Sequence, residues 1–269
     1  MPRRRLDVLI ASLPFLAERF TSHKAFSEAT LAQVLGAQKS RASEVQATTL
    51  ASMIFFNRGN RFEAVELPRE AQLAPAFSVN VADFDGDGHE DIFLSQNFFA
   101  NQPEIPRCDA GRGLWLRGDG TGKLTAVPGQ ESGIQVYGEQ RGAALCDYDG
   151  DGRVDLAVTQ NGAATKLFHN TRAKPGLRVR LTGPPENSAG IGTSLRLMFG
   201  ERAGAMREVH AGSGYWSQDS AVSVLATPET PTRLWVRWPG GKTTTSDIPA
   251  GAKEVVVGVD GKLQPNPAR

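Results

Sequence analysis

The fold class the sequence predicts is mainly β, with a short helical segment at the N-terminus and a separate all-β module at the C-terminus. Three observations predict it. Apolar residues recur at helical spacing only within residues 1–52; an acidic loop that turns abruptly into an apolar run occurs twice; and the last third alternates short β-rich runs with Gly or Pro. The 269 residues suffice for a sizeable core, and 40% hydrophobic content with 29 Gly and 16 Pro describes a turn-rich chain. A formal net charge of +1 with 22% charged residues offers no global field for nucleic acid or an anionic membrane.

In MPRRRLDVLIASLPFLAERF, residues Leu6, Leu9, Ile10, Leu13, Leu16 and Phe20 share one face of an amphipathic helix, which Pro14 should kink or split. Asp7 interrupts the apolar run and no small-x-small site follows, so a helix is expected here and not a secretory signal. Ser27 to Leu35 is a second helical segment ending at Gly36, and a third covers about Ala42 to Ser52. No stretch reaches the roughly 18 apolar residues of a membrane span.

From Met53 the pattern becomes β. Met53 to Leu67 reads as a hairpin around Asn57-Arg58-Gly59-Asn60, and Leu114 to Val127 as another around Gly118-Asp119-Gly120; Leu167 to Asn170 would begin a third. The repeating unit is an acidic loop, a strand and a later hairpin, and four-stranded units repeated along a chain are the signature of β-propeller blades. Asn101 to Gly113, rich in Pro and Gly, reads as an insertion between strands. The expected organisation is a helical segment at 1–52, partial propeller blades at 53–173, an all-β domain at 174–262 and a tail at 263–269. The domain's strands are Leu177–Leu181, Ser194–Phe199, Arg207–Ala211, Val222–Ala226, Arg233–Trp238 and Glu254–Val259.

The two acidic loops, VADFDGDGHEDIFL and LCDYDGDGRVDLAV, carry the chemistry. Asp83, Asp85, Asp87 and Asp91 fall at positions 1, 3, 5 and 9 of the first, and Asp147, Asp149, Asp151 and Asp155 at the same positions of the second; Gly88 and Gly152 stand at position 6. Alternate spacing points the first three side chains into one concavity, and the Gly allows the turn that returns the fourth. Oxygen ligands at this density suit Ca²⁺, the backbone carbonyl of position 7 (His89 or Arg153) and a water completing the shell, with about two sites in all. Without a cation the carboxylates repel one another. Position 12 holds Leu94 and Val158 in place of a bidentate Glu, and the flanks are β-branched and apolar, so these are strand-initiating loops and not EF-hands.

With their flanks, the loops resemble the FG-GAP or VCBS repeats of integrin α-chain propellers and many exported bacterial proteins. The last third, through GLRVRL, GIGTSLRL, REVHAGSGYWSQDS and LWVRWPGGK, looks like the ASPIC/UnbV domain that commonly follows such repeats, as in the cartilage acidic protein-like family. Val224-Leu225-Ala226 departs from the Gly-Leu-Gly usual there. A closed propeller needs about four to eight blades, so the resemblance implies the C-terminal part of a longer relative, whose missing blades are a candidate partner. It also implies an extracellular or periplasmic location.

Other chemistry is weaker. His210, Ser213 and Asp219 lie close in sequence, but Ala211-Gly212-Ser213-Gly214-Tyr215 lacks the first Gly of a nucleophile elbow; a tight turn with Tyr215 and Trp216 packed on it is expected. His23, His89 and His169 show no metal-ligand spacing. Arg117-Gly118-Asp119 is accounted for by hairpin-turn chemistry, and Trp235 and Trp238 by core packing. Cys108 and Cys146 form no disulfide framework; Cys146, standing where the first copy has Ala82, reads as a small buried residue. The expectation is a non-enzymatic calcium-binding module for adhesion to a protein or glycan ligand, Ca²⁺ being structural and the Asn101 to Gly113 insertion the leading contact surface. The alternative is an accessory or lyase-like enzyme module, which requires a pocket holding a perturbed Lys, Arg or His.

Overall fold

The computed structural model describes residues 4–102 and 105–265. It divides into two compact units, Met1–Leu50 with Gln102–Pro106, and Ala51–Asn101 with Arg107–Arg269.

The first unit is helical. Pro14 splits the amphipathic pattern into α1 (Leu6–Ser12) and α2 (Leu16–Arg19), followed by α3 (His23–Glu28) and α4 (Leu31–Leu35). Ser22 caps α3 by accepting the Ala25 amide, and a reciprocal Thr30–Gln33 capping box starts α4. Leu6, Leu16, Phe26, Ala29 and Val34 form its core. The helix expected over Ala42 to Ser52 does not form; a 3₁₀ turn at Gly36–Arg41 precedes an irregular segment. Val45 is 94% exposed, leaving no buried apolar contact to offset the cost of helix nucleation.

The second unit is mainly β, with single-turn helices at Arg69–Gln72 and Gly129–Ser132 and a 3₁₀ turn at Pro185–Asn187, and its sheets are open. β1 (Met53–Asn57) and β2 (Phe62–Glu66) form the expected hairpin. β3 (Ala76–Ala82), β4 (Asp91–Gln96), β5 (Leu114–Gly118) and β6 (Leu124–Val127) make an antiparallel sheet in chain order, and β7 (Glu139–Cys146), β8 (Asp155–Asn161) and β9 (Ala163–Phe168) make a second. Both faces of β4 are buried, which is why Ile92, Phe93 and Leu94 follow one another without apolar–polar alternation. Phe93 packs with Leu145, Leu156 and Val158 between the two sheets, while Ile92 and Leu94 pack on the other side with Leu114, Leu116 and Ala71. Leu167 to Asn170 does not open a third hairpin. Leu167 and Phe168 close β9, which returns along β8, so the second sheet has three strands.

The C-terminal module pairs two sheets. Its strands are β10 (Leu177–Thr182), β11 (Ser194–Phe199), β12 (Arg202–Ala203), β13 (Arg207–Glu208), β14 (Ser223–Leu225), β15 (Arg233–Arg237), β16 (Thr243–Asp247), β17 (Glu254–Gly258) and β18 (Leu263–Pro265). One sheet runs β14-β10-β17-β18, with β10 and β17 parallel; the other runs β12-β11-β15-β16, with β13 added to β11. Val179, Leu195, Val236, Trp238 and Val255 lie in the core between them. Trp235 is half-buried beneath the Arg196 guanidinium at 4.7 Å. The tail expected from residue 263 is corrected in part: Leu263–Pro265 pairs with β17, and residues 266–269 lie outside the described residues. Among the described residues no helix is long and apolar enough to cross a membrane.

Candidate metal centre

Each acidic loop connects two adjacent strands of one sheet, β3 to β4 and β7 to β8, and the two are built alike. At position 1, Asp83 Oδ1 accepts the amides of Gly86 (2.6 Å) and Asp87 (3.2 Å) and its Oδ2 that of Gly88 (2.6 Å). Asp147 repeats this with Gly150 (2.8 Å), Asp151 (3.1 Å) and Gly152 (2.8 Å). Gly86 and Gly88 have φ of 77° and 95°, which lets successive amides turn toward one carboxylate.

At position 9, Asp91 and Asp155 are fully buried and tie loop to sheet. Asp91 accepts from Phe84 (2.9 Å) within the loop and from Gly118 (2.8 Å) at the end of β5; Asp155 accepts from Tyr148 (3.1 Å) and from Asn170 (2.7 Å) just past β9. Gly118 is obligatory, since a Cβ there would stand 2.2 Å from the Glu90 carbonyl oxygen. That contact, with Asp119 accepting from Thr121 and Lys123, accounts for the Arg117-Gly118-Asp119 tripeptide as turn architecture.

Position 5 points differently from expectation: Asp87 accepts from the His89 amide (2.8 Å) and Asp151 from that of Arg153 (2.9 Å). The side-chain oxygens that converge within 4.8 Å are those of Asp83, Asp85 and Asp91 in the first loop and Asp147, Asp149 and Asp155 in the second; Asp151 groups with Asp149 and His169. Arg153 turns its guanidinium onto Asp151 and onto the Ala173 carbonyl (2.7 Å).

The electrostatics distinguish the loops. In the first, burial pushes the Asp91 carboxyl up to about 7 and Asp83 upward, with neighbouring carboxylates adding to both shifts. Asp85 Oδ1 is buried without a hydrogen-bond partner, and the nearest cation to this residue, Arg117, stands 3.9 Å from Oδ2. In the second, protein side chains already attend the carboxylates: the Arg178 guanidinium pairs with Asp147, and His169 Nε2 lies 2.9 Å from Asp149. Burial pushes Asp151 up, but hydrogen bonds from Arg153 outweigh it and hold the group below its ordinary range.

Arg117 and His169 occupy equivalent places, each one residue beyond the partner of the second residue of β4 or β8, and each faces position 3. Neither was singled out from sequence as a neighbour of its loop. The insertion in the first sheet puts them at different distances along the chain from their aspartates, so only strand register reveals the match.

Both loops abut the C-terminal module. Lys174 donates its amide to Asp85 O (3.3 Å) and Gly176 to Gly152 O (2.7 Å). Arg178 bridges Asp147 to Glu254 (2.9 Å), and Arg207 reaches Glu90 (2.5 Å) and the Val81 carbonyl (2.6 Å). The edge of β7 is closed by Asp219, whose Oδ1 accepts from Leu145 (2.7 Å), and by Ser220, which donates to Leu145 O (2.8 Å).

A cleft of about 390 Å³ beside these strands includes Cys146, His210, Ser213 and Asp219 in its lining. They do not assemble a nucleophile relay. Ser213 Oγ accepts the Asp219 amide (2.6 Å), and His210 Nδ1 lies 3.5 Å from Glu208. Burial pushes both the Asp219 carboxyl and the Cys146 thiol up, and Cys146 is half-buried where Ala82 is fully buried. The expectation that Trp216 packs onto its turn is overturned: its ring is 93% exposed.

The sequence is similar to that of known proteins. Over 204 residues, 73% of this chain, it is 22% identical to cartilage acidic protein 1 of Homo sapiens, and over 197 residues, 71% of the chain, 24% identical to the protein of that name from Xenopus tropicalis. The chain spans about 30% of the length of each. Residues 183–263 match the family described as ASPIC and UnbV, so the β module that closes on both acidic loops carries an ASPIC/UnbV domain.

Proposed function

We propose that the chain is a non-enzymatic, calcium-stabilised β module for binding outside the cytoplasm, its two antiparallel sheets being propeller-type blades and its aspartates structural ligands. One observation carries this reading: two loops with the same hydrogen-bond pattern each bring three carboxylates together, and in the first Asp85 Oδ1 is buried with no protein partner. A buried charged oxygen without a donor is costly, and a hard cation coordinated by oxygen removes that cost. Asp83, Asp85 and Asp91 would hold one ion, and Asp147, Asp149 and Asp155 the other. Ions bound only by the folded form stabilise it by linkage, and the millimolar calcium outside cells suits loops of modest affinity.

The partner is a protein or a glycan, met by inter-strand loops of which Asn101 to Gly113 is the foremost. Its C-terminal part is anchored to the chain that precedes the segment: Phe98 and Cys108 exchange amide bonds of 2.8 and 3.1 Å, and the buried Asn97 side chain binds both the amide and the carbonyl of Gly111. The test is calorimetric titration of the EDTA-stripped protein with Ca²⁺ alongside melting with and without the ion. About two bound ions, reduced in Asp85→Ala and in Asp149→Ala, are expected; no heat at millimolar Ca²⁺ removes the calcium reading.

A further inference from the structure

Trp216 is an exposed aromatic held where the backbone disfavours it. Its φ is 51°, in the left-handed region; Asn97, a residue that tolerates that region, is the other described non-Gly residue with positive φ. The turn that imposes this conformation is fastened on every side. Ser213 donates its amide to Ser217 O (3.0 Å), and Gly214 and Ser217 form a β-bridge. Gly214 is pressed so close to β3 that a Cβ would stand 2.3 Å from Ser78 Oγ, and a Cβ on Gly142 of β7 would stand 2.7 Å from Tyr215 O. A turn locked this tightly keeps a large indole in water and in strain, which is a reason to look for a ligand.

The indole is the end of a row of rings. Phe98 and Phe77 lie 6.0 Å apart, Phe77 and Tyr215 5.6 Å, and Tyr215 and Trp216 6.4 Å, with Arg141 stacked on Phe77 at 4.0 Å to support the row from within. Exposure rises along it, from half-buried phenylalanines through Tyr215 to Trp216. Of the residues that flank the two outer rings in the chain, Gly212, Gly214 and Gln218 are exposed, while Ser213 Oγ accepts the Asp219 amide and Ser217 Oγ is buried; none brings an apolar side chain.

We propose that Tyr215 and Trp216 form a carbohydrate-binding platform on which a pyranose ring stacks. A sugar presents an apolar C–H face edged by hydroxyls, and a rigid, exposed aromatic pair whose chain neighbours carry no apolar side chain is the complement of that shape. A protein hot spot needs a surround of near-neutral contacts that excludes water, which glycines and serines do not supply. An anionic lipid surface calls for Lys or Arg, and residues 210–220 contain neither. This narrows the binding-module reading above to a ligand class and rests on it, but at a different loop and without requiring the calcium assignment.

The test uses the full chain in calcium, with a glycan array, sedimentation with insoluble cellulose, chitin and xylan, and tryptophan fluorescence during titration with the sugars retained. Wild type should bind at least one glycan, and Trp216→Ala and Trp216→Gly should each weaken binding by about tenfold or more. Because the ring is exposed and Gly prefers positive φ, Trp216→Ala should melt as wild type does and Trp216→Gly no lower. Binding nothing on the array or the polysaccharides overturns the proposal. So does binding that survives Trp216→Ala, a large melting loss in that variant, or capture by zwitterionic vesicles in place of glycans. In Asp85→Ala, glycan binding should persist while calcium binding falls, which upholds the platform independently of the metal reading; failure of wild type to bind calcium, with glycan binding intact, would sink the calcium reading alone.

Discussion

Asp85 is the residue whose behaviour discriminates a metal loop from an acidic turn. Its neighbours are engaged by amides, so replacing them damages the loop whether or not an ion is present, whereas Asp85 Oδ1 has no protein donor to lose. Asp85→Asn should therefore leave the EDTA-stripped protein as stable as wild type or slightly more so, since it removes a like charge, and should abolish the calcium-dependent rise of the first loop; melting in EDTA and in calcium reads both. Gly118→Ala should cost about 1–3 kcal/mol in denaturant unfolding under either condition, because the clash is with the Glu90 backbone and not with a side chain that can move. The aspartate spacing was legible in the sequence because ligands at alternate positions are a local pattern. Arg117 and His169 were not, since they reach their loops through sheet register, and Trp216 was misjudged because nothing local states that its turn leaves the ring in solvent.

Between elements, Arg178 carries the connection from β10 to the loop that starts β8. Its side chain is 13% exposed, and it pairs with Asp147, 1% exposed, and with Glu254 on β17. Arg178→Met should destabilise by about 3 kcal/mol, because it leaves the buried Asp147 without its cation and Glu254 with Arg180 alone, at 3.6 Å. It should also enlarge the calcium-induced rise in melting temperature beyond that of wild type, as an external ion takes over part of the lost charge; an equal or smaller rise would mean that Arg178 and the ion do not share Asp147. Paired elements were readable where apolar alternation marks them, as in Leu177–Thr182 and Arg233–Arg237. Thr243–Asp247 was not seen because its threonines and serine look like loop composition, and it forms as the edge strand that β15 templates.

At the scale of the molecule, the buried carboxylates make stability depend on pH and, on the proposed calcium reading, on the ion as well. Asp91 has a folded pKa of about 7, above the ordinary carboxylate value, so between those two values the folded form holds a proton the unfolded chain has released. Stability of the ion-free protein must then fall as pH rises through that window. In EDTA the melting temperature should be higher near pH 5 than near pH 8, while in millimolar calcium the fall should vanish or reverse if the ion binds the deprotonated loops as proposed; a parallel decline in both buffers would exclude ligation by Asp91. The sequence by itself determined the β character of the chain, the two loops and their four aspartates each, and the change of pattern near residue 174, because each is written in the local order of side chains. Only the tertiary structure decided which carboxylates converge, which cations answer them and that the C-terminal module closes on both loops. Those outcomes depend on strands far apart in the chain coming into register, where burial and charge act through space and not along the backbone.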